Sequence, residues 1–269
     1  MARFKDILGK LLPYWIIDKF NEIRGVSYQE SEEIIERRVN FYKSFLSAGD
    51  LVFDVGSNYG SRIPPLLHLS CKVVAVEPLP DCCRYLKHKY GDKIHLENLC
   101  LSSENGESDL FIGKVNVLST LSSDFIKRTT ESGRFEKDTW SSNSIRVKVL
   151  TLDELMRKYG IPKFIKIDTE GYEIEVIKGL SKSVPYLSFE YTLPEFEKEL
   201  MDILNILAKK GEFLINISSG ETMKFVSEKW MSLSEFHQFL KNNSQTVKGW
   251  GDVYINYEHY SSSEPQKES

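Results

Sequence analysis

Four cysteines in 269 residues, two of them adjacent as Cys82 and Cys83, are too few and too poorly spaced for a disulfide framework. No CxxC pair offers a zinc site either. Cys71, Cys82, Cys83 and Cys100 therefore read as small buried apolar side chains, and reduced thiols point to a cytoplasmic protein. The five histidines show no HxxxH or HEXXH spacing. His68 and His95 remain weak candidates for a base, since neither has a partner close by in the chain. No apolar run reaches transmembrane length. A net charge of only −4 supplies no basic field, so no nucleic acid partner is expected. What is there, 41% apolar and 28% charged residues, suits a globular chain with a sizeable core.

The first twenty residues, MARFKDILGKLLPYWIIDKF, do not read as a signal peptide. Lys10 interrupts the apolar centre and no small-residue cleavage site follows. Phe4, Ile7, Leu8, Leu11, Leu12, Trp15 and Ile16 recur at helical spacing, and Pro13 divides or kinks that helix. With Arg3, Lys5 and Lys10, the segment 3–16 suits peripheral contact with a membrane surface. A cap on the core or on a partner subunit is the plainer reading. A second helical face, Ile34, Ile35, Val39, Phe41, Tyr42, Phe45 and Leu46, stops at Gly49. Residues 1–48 are thus assigned to an N-terminal helical extension, 49–258 to one domain, and 259–269 to a disordered tail.

From residue 50 the pattern alternates. DLVFDVG is a buried strand, SRIPPLLHL a short helix with Pro64 and Pro65 in its first turn, KVVAVEP a strand, DCCRYLKHKYG a helix, and KIHLENLCL a third strand. Such β-α-β-α-β order predicts a parallel sheet with helices on both faces. ENGESDLFIG reads as a turn and an edge strand. Residues 119–144 are polar and predict a long irregular loop, functional or mobile. IRVKVLTLDELMRKYG gives a strand and a helix, with Thr151 and Glu154 as a capping box. YLSFEYT, EFLINIS and DVYINY are further strands, and PEFEKELMDILNILAKKG is an amphipathic helix.

Ligands of open α/β sheets bind beyond the carboxyl ends of the strands. There the first strand runs into Asp54, Gly56 and Gly60, which fail the GxGxxG pattern of dinucleotide sites. An acid at that point repels a pyrophosphate but suits a cationic group, such as the amino and sulfonium region of S-adenosylmethionine. Glu77 ends the next strand about twenty residues on, where a carboxylate accepts both hydroxyls of a ribose. A third stretch, FIKIDTEGYEIEVIKGL, sets Asp168, Glu170 and Glu173 where a strand turns into a helix.

The segments LVFDVGSNYG, VVAVEPLP, IHLENLCLSSENG, VKVLTLDEL and KFIKIDTEGYEIEVIKGL resemble the successive motifs of the FkbM family of S-adenosylmethionine-dependent methyltransferases. The likeness runs from about Leu51 to Tyr191, and IDTEGYE is its most distinctive part. Ser57 stands where the family commonly has alanine, and Pro64 and Pro65 where it continues an aliphatic helix. The resemblance implies a class I (Rossmann-like) methyltransferase sheet, mostly parallel with an antiparallel edge. It also implies methyl transfer to oxygen, on a hydroxyl of a saccharide, glycan precursor or natural product. Carried onto this chain, Asp54, Gly56, Asn58 and Gly60 would line the methionine end of the cofactor. Glu77 would hold the ribose, and Asn98 and Leu99 would flank the adenine.

A neutral hydroxyl is a poor nucleophile and needs a base within hydrogen-bond reach. Asp168 is the first candidate for that role, then Glu170 and Glu173, with Glu190 as another inward acid. Close carboxylates raise one another's pKa, and they also offer oxygen ligands to a divalent metal. First-turn acids favoured by the helix dipole are the competing explanation. Lys114, Asn116, Ser119, Thr120, Arg128, Arg134 and Trp140 are expected on the acceptor side, with Trp140 as a stacking surface. An alternative function keeps the cofactor pocket without catalysis, as a regulatory or scaffold module engaging a partner through the N-terminal helix.

Overall fold

The computed structural model describes residues 31–114, 118–136, 138–243 and 247–258. The expected helix at 3–16, Asn116 and the expected tail at 259–269 lie outside the described residues. Short runs rich in valine, isoleucine and phenylalanine make β1 (Leu51–Val55), β2 (Lys72–Val76) and β7 (Phe164–Ile167), and the more polar β3 (Ile94–Glu97) joins them at the edge. Strands apolar on both faces can be covered on both, which is the condition of a parallel sheet. With β8 (Tyr186–Leu193), β9 (Leu214–Ser219) and β10 (Gly249–Asn256) they form a seven-stranded sheet, ordered β3-β2-β1-β7-β8-β10-β9. β10 alone runs against the direction of the other six strands. The chain winds outward from β1 to β3, then returns to build the other half from β7. The switch point, where open sheets of this kind bind their ligands, therefore lies between β1 and β7.

One face of the sheet packs Phe53, Ile165, Leu187 and Val253 against α5 (Leu152–Tyr159), α6 (Glu173–Lys178), α7 (Glu197–Ala208) and α8 (Leu233–Asn242). The other face packs Val52, Phe164 and Tyr254 against α1 (Glu32–Tyr42), α2 (Ile63–His68) and α3 (Pro80–Tyr90). Fully burying each such side chain is worth about 2 kcal/mol. Helix α1 comes from the segment assigned to an extension, yet it is seated on the sheet. Phe41 and Phe45 meet the rings of Tyr254 and Phe164, with Phe45 stacked on Tyr186. All four cysteines are free and buried.

Three expectations change. KIHLENLCL is not one strand: it breaks at Asn98, and Cys100–Leu101 becomes β4 of a separate three-stranded sheet, β4-β6-β5, with β5 at Gly106–Gly113 and β6 at Trp140–Leu150. The described residues of 119–144 are not irregular throughout. They hold α4 (Ser123–Glu131), whose start is capped by Ser122 Oγ accepting from Phe125 N at 3.0 Å, and the first half of β6. The polar composition concealed that helix because it buries only a narrow face, Phe125 and Thr129. The capping box of α5 is half made. Thr151 Oγ1 accepts from Glu154 N at 3.2 Å, but the Glu154 carboxylate turns to Asn105 and Arg157. No helix among the described residues is long and apolar enough to cross a membrane.

Candidate functional site

The loop after β1 is laced to the end of β2. Gly56 N and Ser57 N both donate to Val76 O, and Asn58 N donates to Glu77 Oε2 at 2.8 Å. Leu79 N donates to the other oxygen, Oε1, also at 2.8 Å. The Glu77 carboxylate is thus fixed in place, with lone pairs left over for further donors. Burial pushes its pKa up to about 7, against the pull of those two backbone donors. Gly56 is at φ +79°, and a Cβ there would overlap the carbonyl oxygen of Asp168. The glycine lets the β1 and β7 loops touch, which brings the acids of both strands to one place.

Two cavities meet there. The first, of about 530 Å³ with its open mouth, runs over Glu77, Leu79, Leu99, Leu110 and Leu121. The second, of about 1090 Å³ with its open mouth, runs over Asp54, Arg62, Glu190 and Trp250. Gly56, Asn58, Asp168 and Glu170 line both. Asp54 lies 1% exposed at the end of β1, and its Oδ2 has no hydrogen-bond partner among the described residues. Burial raises its pKa despite Lys166 and Arg62 nearby. A buried carboxylate oxygen without a donor fits a cationic ligand group.

The acids expected from the sequence divide. Asp168 Oδ2 accepts from the buried Lys166 ammonium at 2.6 Å. Burial disfavours that ammonium, but Asp168 and Asp252 outweigh it and raise its pKa. Oxygens of Asp168, Glu170 and Glu190 all lie within 4.8 Å of one another. Burial, then the neighbouring carboxylates, push both Glu170 and Glu190 well above the ordinary carboxylate range. Such a triad fits either a shared proton or a hard divalent cation with oxygen ligands. Glu173 does not join it. Its Oε1 accepts from Thr169 N at 2.8 Å and Thr169 Oγ1 at 3.0 Å, so it braces the turn instead.

Other residues land elsewhere than expected. Gly60 lines neither cavity; a Cβ there would meet Leu86 at 2.7 Å and Ile63 at 2.8 Å, so it serves helix packing. Asn98 also stands back from the cavities, donating to Glu77 O at 3.0 Å and Pro78 O at 2.9 Å, while Leu99 is in the first cavity. His68 lies in the last turn of α2, and His95 packs on Tyr159 with ring centroids 5.1 Å apart; neither lines either of these two cavities.

The expected acceptor loop is tied down. Arg134 makes a two-pronged pair with Glu195, at 2.9 and 2.7 Å, and holds that carboxyl down at about 2. Arg128 pairs with Glu199 and lies 4.1 Å above the Phe196 ring. Lys114 pairs with Asp138. Trp140 is buried against Phe125 and Phe135, so it is no stacking surface for a ligand. Ser119 and Thr120 do line the first cavity, and Thr120 Oγ1 donates to Glu170 O at 2.7 Å. That contact holds Glu170 at φ +54°, a strained value for a residue with a side chain. Sequence reasoning missed Leu110 and Leu121, since a leucine in an edge strand or loop carries no functional signal.

The family model for the methyltransferase FkbM domain matches residues 54–243. The chain belongs to the FkbM methyltransferase family. The strand order, with the antiparallel β10 lying between β8 and β9, is that of the class I methyltransferase fold. A curated relative, the hexuronic acid methyltransferase AglP of Haloferax volcanii, is 23% identical over 142 residues. That match spans 52% of this chain and about half, 54%, of the relative's length. Among solved structures, the precorrin-6y C5,15-methyltransferase of Geobacter metallireducens superposes with a TM-score of 0.41 at 10% identity, over 85% of this chain and 90% of that one. A TehB-like SAM-dependent methyltransferase of Corynebacterium glutamicum gives 0.41 at 9% identity, over 90% and 95%.

Proposed function

We propose that this FkbM domain is an S-adenosylmethionine-dependent O-methyltransferase whose acceptor is a hydroxyl of a saccharide or glycan precursor. The observation that carries the reading is the meeting of two cavities at Gly56, Asn58, Asp168 and Glu170, with Asp54 and Glu77 on either side. Glu77 would accept the ribose hydroxyls, and Asp54 Oδ2 would accept the amino group of the methionine end. The apolar slot of Leu79, Leu99 and Leu121 would hold the adenine. The cofactor, when bound, supplies an electrophilic methyl group. The chain's own task is to align an acceptor oxygen with it and to take the hydroxyl proton.

For that proton the FkbM domain offers the Asp168, Glu170 and Glu190 group. Burial and the neighbouring carboxylates raise the pKa of Glu170 and Glu190, which makes either a stronger base than an ordinary carboxylate. The same oxygens would ligate a divalent cation, which would lower the acceptor's pKa instead. A chelator separates the two: turnover that survives it leaves the proton to the carboxylates. The relative that acts on a hexuronic acid supports a sugar-type acceptor.

Calorimetry with S-adenosylhomocysteine is the first test. Wild type is expected to bind and Glu77→Ala to bind at least tenfold more weakly, since one lost charge-assisted contact is worth about 1.5–3 kcal/mol. Folded wild type that does not bind would overturn the reading. Asp168→Asn is expected to keep the affinity while losing turnover.

A further inference from the structure

We propose that Trp250 is the platform on which the acceptor stacks, and that the acceptor is a neutral pyranoside; this rests on the function proposed above. Three large apolar side chains stand exposed among the described residues, and only Trp250, at 46%, lines a cavity of the site. It sits on β10, not on a loop. Trp250 pairs with Thr192 of β8, and the next same-face pair down the strands is Asp252 with Glu190. Side chains two residues apart share a face, so Trp250 and Glu190 are diagonal neighbours about 7–8 Å apart. Gly220 N donates to Trp250 O at 2.9 Å and fixes the strand end. A sugar ring laid on the indole would therefore present a hydroxyl toward Glu190, Glu170 and Asp168.

The rest of the cavity selects the chemistry. Asp54, Asp168, Glu170, Glu190 and Glu221 line it, against Lys166, Arg62 and Arg134. Each of those cations already has an acid: Asp168, Glu221 and Glu195 in turn. An anionic sugar would thus meet five acids against three cations, each of the three already paired. A wholly apolar acceptor would strip water from Glu190, Thr192 and Glu221 and return no hydrogen bonds. Neutral sugar hydroxyls satisfy those acceptors, while the apolar face of the ring covers the indole.

The test uses the full chain loaded with S-adenosylhomocysteine, titrated with methyl glucoside, methyl mannoside, methyl galactoside and methyl glucuronide. Tryptophan fluorescence is read against Trp250→Phe, because the chain has four tryptophans. At least one neutral glycoside is expected to saturate and to change a signal that Trp250→Phe lacks, with glucuronide silent. Trp250→Ala is expected to weaken glycoside binding about tenfold or more while S-adenosylhomocysteine affinity stays at the wild-type value. Glycoside binding unchanged by Trp250→Ala overturns the platform. No saturation by any neutral glycoside, or a preference for glucuronide, overturns the acceptor class. Failure of S-adenosylhomocysteine itself to bind the wild type would instead overturn the underlying function.

Discussion

At the scale of single residues, the site depends on side chains that are absent as much as on those present. Gly56 is the clearest case. Its φ of +79° and the carbonyl of Asp168 where a Cβ would stand leave no room for alanine. Gly56→Ala is expected to cost about 3 kcal/mol or more, by strain and by parting the β1 and β7 loops. A urea midpoint equal to wild type would refute that. Glu77 carries a different signature. Held up at about 7 by burial, it is partly protonated near neutral pH. On the proposed function, ribose hydroxyls donating to Glu77 would favour the ionised form, so S-adenosylhomocysteine binding at pH 7 should release protons. Calorimetry in buffers of differing ionisation enthalpy measures the release, and Glu77→Gln should reduce it.

At the scale of elements, α4 is a small amphipathic helix whose position is set from outside itself. Phe125 packs against Phe196 and against Gly171, where a Cβ would overlap its ring. Arg134 and Arg128 fasten the same region to Glu195 and Glu199 at the start of α7. Arg134→Ala should therefore loosen residues 118–136 without unfolding the sheet. The expected result is faster limited proteolysis there and a stability loss of about 1 kcal/mol, in keeping with a two-pronged, partly buried pair. Unchanged cleavage would show that the aromatic packing alone holds α4. The loop reading of this segment failed because its anchors, Glu195 and Glu199, lie some sixty to seventy residues away in the chain.

At the scale of the whole molecule, buried acids set the pH response. Glu221 is partly buried, which by itself raises its pKa, but Arg62 and Arg38 outweigh that and hold it at about 2. A depressed carboxyl stabilises the fold above its unfolded pKa, about 4.3, and that contribution is lost as pH falls toward 2. Burial raises Glu77 and Glu173 to about 7. A raised carboxyl stabilises most below the unfolded value, and that contribution is lost as pH rises through about 7. The two effects place maximum stability of the ligand-free protein on the acid side of neutrality. Urea midpoints from pH 3 to 9 check this, and a profile still rising from pH 6 to 9 would contradict it.

The sequence by itself determined the alternation of buried strands and helices, the carboxyl ends where ligands bind, and the family. Those properties are local: apolar runs, turn glycines and acids at strand ends report their own surroundings. Tertiary structure decided which acids act together. Glu173 and Glu170 are three residues apart, yet one braces a turn while the other meets Glu190 from the next strand, because pairing across β7 and β8 sets which side chains converge. It also decided which of two tryptophans stays exposed, Trp250 and not Trp140. Trp140 is closed off by Phe125 and Phe135, whereas Trp250 stays open at the end of a strand. Exposure is a property of what packs over a residue, and no spacing along the chain encodes it.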